Sequence, residues 1–153
     1  TAKSASTGKR ILDPLHRAIL DGDVPTLQKL LGALVLRHVS FHDVTETQAE
    51  TFYHAFVLGL LISMEKTHFV RSNREVGAGR ADVQIIPKEA GKPGAILEFK
   101  KQSGKGSLFY HAGAALRQIQ KQGYDAELVA AGATPIQKIG ICFAGKEVVV
   151  RGA

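Results

Sequence analysis

Apolar positions along the chain recur at helical spacing, then in alternation, then at helical spacing again, and close in alternation. Two short helices are predicted between residues 13 and 36. Asp13 caps the first, with Pro14 at its opening position and Leu15, Ala18 and Ile19 as its apolar stripe, and Asp21 and Gly22 stop it. Asp23 caps the second, along which Leu27, Leu30, Leu31 and Leu34 recur. Thr45 and Gln48 make a capping box for the main helix, expected to run to about Lys66. Its face is Phe52, Phe56, Leu60 and Met64, and its apolar surround implies packing against a sheet. Strands are predicted over residues 69–75, 81–87 and 95–99, with Gly77 and Gly79 permitting a tight turn between the first two. A helix over about 108–123 turns Ala112, Ala115, Leu116 and Ile119 inward. Asp125 caps a short helix towards Thr134, and residues 138–144 and 147–151 form a closing hairpin around Gly145 and Lys146. The outcome is an α/β fold, a mixed sheet of about five strands flanked by helices. Residues 1–10 read as a flexible leader, 11–42 as a helical extension packed on the core, and 43–153 as the core.

The second and third strands place carboxylates together. If they pair as a hairpin centred on Ala90, Ile86 faces Gly94 and Asp82 faces Glu98, with Cβ atoms roughly 4.5 to 5.5 Å apart. Carboxylates that close repel unless a cation lies between them or one is protonated. Oxygen donors alone suit a hard divalent ion, Mg²⁺ or Mn²⁺. Lys100 is two residues beyond Glu98, so strand alternation sets it on the same face. A metal seat with a cation beside it fits phosphodiester hydrolysis, the lysine positioning the nucleophile or stabilising developing charge. A bland alternative is a solvent-facing strand on which Glu98 and Lys100 are a screened pair. Ile96 on the same face argues against it, because the glutamate then follows an apolar residue.

Composition narrows the partners. A formal charge of +6 and a pI near 9.6 favour a polyanion such as nucleic acid. A single cysteine, Cys142, excludes an internal disulfide and sits in an apolar run that predicts a buried thiol. No apolar stretch reaches about 18 residues and no signal peptide is visible, so a membrane partner is not expected. The expected location is inside a cell, that of the source or one into which the protein is delivered as an effector or toxin. The chain lacks a starting methionine and is expected to be part of a longer protein.

The ordered blocks carry a resemblance. Glu-Thr-Phe-Tyr-His at 50–54, Ser-Asn-Arg-Glu at 72–75, Gly-Arg-Ala-Asp at 79–82 and Ile-Leu-Glu-Phe-Lys at 96–100 resemble the PD-(D/E)XK nuclease superfamily, whose fold is restriction-endonuclease-like. The fuller string resembles a bacterial nuclease-like domain that usually follows an AAA-ATPase-like domain, which such a domain would have as a partner. The resemblance implies that Asp82 and Glu98 hold the metal, joined by the Phe99 main-chain carbonyl, and that Lys100 is catalytic. It also implies that Glu50, on the main helix, joins the site; a carboxylate near a helix start is otherwise just favourably placed. Gln118 matches the glutamine-bearing helix of the superfamily, as an accessory residue orienting Lys100 or a phosphate. Tyr124 stands six residues beyond it, where related nucleases space the pair more tightly.

Arg74, Arg80, Lys101, Lys105 and Lys121 are candidates for nucleic-acid contact, or merely hold turns and solvated surfaces. DNA is the favoured substrate. His54, on an apolar helix, reads as a hydrogen-bonded core residue, and His38 and His42 as parts of a turn or strand. From a different functional class comes a nuclease-fold module that binds nucleic acid or protein without turnover. Residues 15–31 also resemble one ankyrin repeat, but no second copy follows at about the 33-residue period such repeats need.

Overall fold

Six successive residues of β3 (Gly94–Lys101), from Gly94 to Phe99, are buried. A strand hidden on both faces belongs in the middle of a sheet with layers on either side. The computed structural model describes residues 2–38, 46–72, 82–102 and 106–153. Around β3 lie β1 (His68–Ser72), β2 (Val83–Pro87), β4 (Ile136–Ala144) and β5 (Glu147–Gly152), in the spatial order β1-β2-β3-β4-β5. Only β3 and β4 run parallel; the other three pairs are antiparallel. The parallel step is bridged by α4 (Leu108–Gln122) and α5 (Ala126–Ala130). The β2–β3 register pairs Val83 with Leu97, Gln84 with Ile96 and Ile85 with Ala95, which is the hairpin centred on Ala90.

The layers divide the apolar residues. Val83, Ile85, Leu97, Phe99, Ile141 and Phe143 point to one face, where α1 (Ala2–Asp21), α2 (Val24–His38) and α3 (Glu46–Leu61) bury Leu15, Ile19, Leu27, Leu31, Val57 and Leu61 against them. His16 Nε2 meets the Leu60 carbonyl at 2.8 Å, tying α1 to α3. Gln28 Oε1 accepts the Val150 N–H at 2.9 Å and occupies a donor on edge strand β5. On the opposite face Ile86, Ile96, Ile119, Tyr124 and Leu128 form a smaller cluster under α4 and α5.

Several expectations shift. Residues 2–10, expected as a flexible leader, form the first half of α1, with Asp13 and Pro14 inside it. Proline costs one backbone hydrogen bond, whereas Ala2, Lys3, Ala5, Lys9 and Arg10 favour helix and the burial of Leu15, Ala18 and Ile19 holds the second half. Asp23 does cap, its Oδ1 accepting the Thr26 N–H at 3.3 Å. The deepest face of α3 is Tyr53, Val57 and Leu61; Phe52, Phe56 and Leu60 flank it, half-buried. Beyond Leu61 the expected helix tightens into a 3₁₀ segment, Ile62–Lys66. α5 stops at Ala130, and Asp125 makes no side-chain cap bond. His38 ends α2 instead of joining a turn, while His42 and Thr45 lie outside the described residues. Among the described residues no helix is long and apolar enough to cross a membrane.

α4 sits unusually close to the sheet because β4 carries Gly140. A Cβ there would fall on the Ala112 carbonyl and the Leu116 amide, both backbone atoms that cannot swing aside. Gly140→Ala therefore lifts α4 and is expected to cost about 1–3 kcal/mol, read as a lower urea midpoint; an unchanged midpoint would show that the helix is not seated by this contact.

Tyr53 reports on the other face. Its hydroxyl donates to the Gly145 carbonyl and its ring stacks on Phe143, with centroids 4.2 Å apart. Burial pushes the phenol from its ordinary 10.0 up to about 12. The unfolded chain therefore loses this proton first as pH rises: the contribution is intact below pH 10.0 and disappears by about 12. Alkaline destabilisation across that interval should be smaller in Tyr53→Phe than in wild type, as measured by urea unfolding at successive pH values.

Candidate active site

The β2–β3 ladder ends at Val83 and Leu97, and the next pair outward is Asp82 and Glu98. There the strands exchange side-chain bonds for backbone ones. Asp82 Oδ2 accepts the Phe99 N–H at 2.8 Å, and Glu98 Oε2 accepts the Asp82 N–H at 3.3 Å. Each carboxylate thus holds the other's strand. Glu98 is 4% exposed, so its charge depends on donors supplied by the protein.

A second donor comes from α4. Ser107 caps that helix, its hydroxyl accepting the Tyr110 N–H at 3.1 Å, and Ala112, Ala115, Leu116 and Ile119 seat it on the sheet. Gln118 then reaches down, Nε2 donating to Glu98 Oε1 at 2.9 Å and lying 3.4 Å from the Tyr124 hydroxyl. The six-residue spacing of Gln118 and Tyr124 works because α4 stops at Gln122 and Gly123 takes a left-handed conformation, φ 63°, which turns the chain back. Tyr124 is therefore brought to the site after all. Its carbonyl also accepts the Gln84 Nε2–H at 3.0 Å, which satisfies a second buried polar side chain on the Asp82 face of β2. Sequence reasoning passed over Gln84, although its place two residues after Asp82 on a buried strand demanded a partner.

Lys100 follows Glu98 by one strand repeat on the same face and is half-buried. Gln118 bonds to Glu98, and it is this carboxylate that it orients. Glu50 lies in the second turn of α3, not the first, which weakens the helix-dipole reading. Its backbone is one turn before His54, whose ring packs edge-on against Phe99 and whose Nε2 meets Ser72 Oγ at 2.6 Å. His54 is the hydrogen-bonded core residue expected. Lys121 is exposed in the last turn of α4. Lys101 ends β3, and Arg74, Arg80 and Lys105 lie outside the described residues.

The donor set suits a hard cation. Asp82 and Glu98 offer carboxylate oxygens only, and among the described residues no third His, Cys, Asp or Glu joins them. Mg²⁺ takes one or two carboxylates and keeps several waters, so two are sufficient. Cys142 plays no part: it is fully buried, and burial pushes its thiol up to about 11.

Comparison with curated proteins gives no match. Comparison with protein families does: residues 48–152 match the PD-(D/E)XK nuclease superfamily. The matched span is more than half of the chain and takes in every strand of the sheet, so the chain belongs to the PD-(D/E)XK nuclease superfamily.

Proposed function

We propose that the protein is a metal-dependent nuclease that hydrolyses phosphodiester bonds, with DNA as the favoured substrate. The observation that carries this reading is the reciprocal bonding of Asp82 and Glu98 at the end of the β2–β3 ladder, with Gln118 fixed on the buried carboxylate. Asp82 and Glu98 would hold Mg²⁺ or Mn²⁺, with the Phe99 carbonyl and Glu50 as further donors by family resemblance. A divalent ion bound there supplies Lewis-acid stabilisation of charge on the phosphoryl group. Lys100 presents an ammonium beside that group and orients the attacking water or offsets the developing charge. Gln118 fixes the rotamer of Glu98, and Tyr124 fixes Gln118. Lys101, Lys105, Arg74, Arg80 and Lys121 are assigned to backbone phosphates, which position a substrate without reading its sequence.

The deciding experiment incubates the chain with linear DNA, circular DNA and RNA in Mg²⁺ or Mn²⁺. Cleavage should require the metal and fall about 100-fold or more in Asp82→Ala, Glu98→Ala and Lys100→Ala. Cleavage that survives chelation, or persists in both carboxylate variants, would sink the proposal. If the wild type neither cleaves nor binds Mn²⁺ by calorimetry, the fold serves as a binding module instead.

Gln118 has its own test. Removing a residue that orients a metal-binding carboxylate costs about 10- to 100-fold in metal affinity. Gln118→Ala should therefore weaken Mn²⁺ binding by that factor in a calorimetric titration, and Tyr124→Phe by less, because its contact is the longer one, 3.4 Å. Unaltered Mn²⁺ affinity in Gln118→Ala would reduce the glutamine to a helix surface residue.

A further inference from the structure

Two large side chains at the start of α4 face solvent side by side: Phe109 is 59% exposed and Tyr110 55%. Isolated exposed apolar residues need no explanation. These are adjacent, and each carries a guanidinium over its ring. The Arg151 Cζ lies 4.1 Å from the Phe109 centroid and the Arg117 Cζ 5.5 Å from that of Tyr110. Arg151 reaches Phe109 from β5 across Gly113, where a Cβ would collide with the guanidinium. The surrounding sequence has one sign. Between Glu98 and Asp125 there is no carboxylate, while Lys100, Lys101, Lys105, Arg117 and Lys121 all fall there.

We infer that Phe109 and Tyr110, backed by Arg151 and Arg117, form a stacking platform for the unpaired bases of a single-stranded nucleic acid. The inference rests on the nuclease reading and names the form of its substrate. Aromatic faces joined to arginine in a basic groove are the chemistry by which single strands are held without sequence preference. A paired duplex keeps its base faces stacked inside and has nothing to offer the rings. A protein partner would use the apolar area but gains nothing from Arg117 and Arg151 unless it is acidic. Tyr110 precedes Gln118 by eight residues of one helix, about 12 Å along its axis.

The test measures binding alone. Anisotropy of labelled oligothymidine is recorded with the whole chain in a chelator, so that nothing is cleaved. The Phe109→Ala/Tyr110→Ala double variant should lose about tenfold or more in affinity. Phe109→Leu/Tyr110→Leu should lose as much, because leucine keeps apolar area but has no π-face, whereas Tyr110→Phe should bind as wild type. Circular dichroism must match wild type in each. Wild-type affinity in the leucine variant would overturn the proposal, as would a wild-type preference for duplex that ignores the rings. So would a double alanine variant that changes only self-association in light scattering, which would make the pair a contact between copies of the chain. Ring-dependent binding by a wild type that neither cleaves nor binds Mn²⁺ would sink the nuclease reading and leave the platform standing.

Discussion

The constraint on which the rest depends is a buried carboxylate that must be supplied with donors. Glu98 sits in the central strand with 4% of its surface exposed. An ionised group in that position is several kcal/mol unfavourable unless hydrogen bonds replace its water. Two that the fold supplies come from different elements: the Asp82 amide, available only because the β2–β3 ladder stops one pair earlier, and the Gln118 amide, available only because α4 lies close to the sheet. The second condition leads to Gly140, the β4 neighbour of Glu98, whose missing side chain lets the helix backbone descend. One charged residue thus sets the end of a strand pairing, the depth of a helix and the identity of a residue on the neighbouring strand.

The two faces of the sheet meet different demands. Against α1, α2 and α3 the strands present mostly apolar side chains, with Ser72 meeting His54 and Gln137 donating to the Leu20 carbonyl, and this cluster holds most of the buried hydrophobic residues. The other face changes character along its length. Ile86, Ile96 and Leu128 are packed at one end, Gln84 and Tyr124 share a hydrogen bond in the middle, and Asp82 and Glu98 stand at the other end. The apolar end anchors α4 and α5, and the polar end uses that anchorage. Tyr124 joins the two, its ring in the apolar cluster and its hydroxyl beside Gln118. A polar network of this kind specifies one arrangement only when its members are satisfied.

What the sequence made legible follows the same physics. The Asp82–Glu98 pairing could be read because two short strands joined by a polar turn admit few registers, and a slip of one residue would reverse every apolar side chain. The succession of strands and the burial of Cys142 and His54 followed from alternation and from the apolar run around each residue. The phase of α3 could not be read, since residues 52, 56 and 60 are as apolar as 53, 57 and 61, and only contact with the sheet chooses between them. The start of α1 was hidden by Pro14, which marks a first turn far more often than an interior. Gln118 was found as a residue but its bond to Glu98 was not foreseen, and Tyr124 was set aside on spacing. Spacing rules assume that a helix continues, and this one turns back at Gly123.

The distribution of charge separates Lys100 from the cations that follow it. Were the lysines and arginines after Glu98 present to neutralise the buried carboxylates, they would have to lie within a Debye length, about 8 Å at physiological salt. Lys100 qualifies, at roughly 7 Å along the strand. Arg117 and Lys121 stand on α4 within one turn of Gln118 and are exposed, so solvent screens their charge from Glu98. Their effect is on whatever lies over them. A carboxylate pair repels a polyanion at close range, so a strand approaching this site has to be held elsewhere before it can enter. Under the proposed function, the run from Lys100 to Lys121, free of acidic residues, is one that would do so.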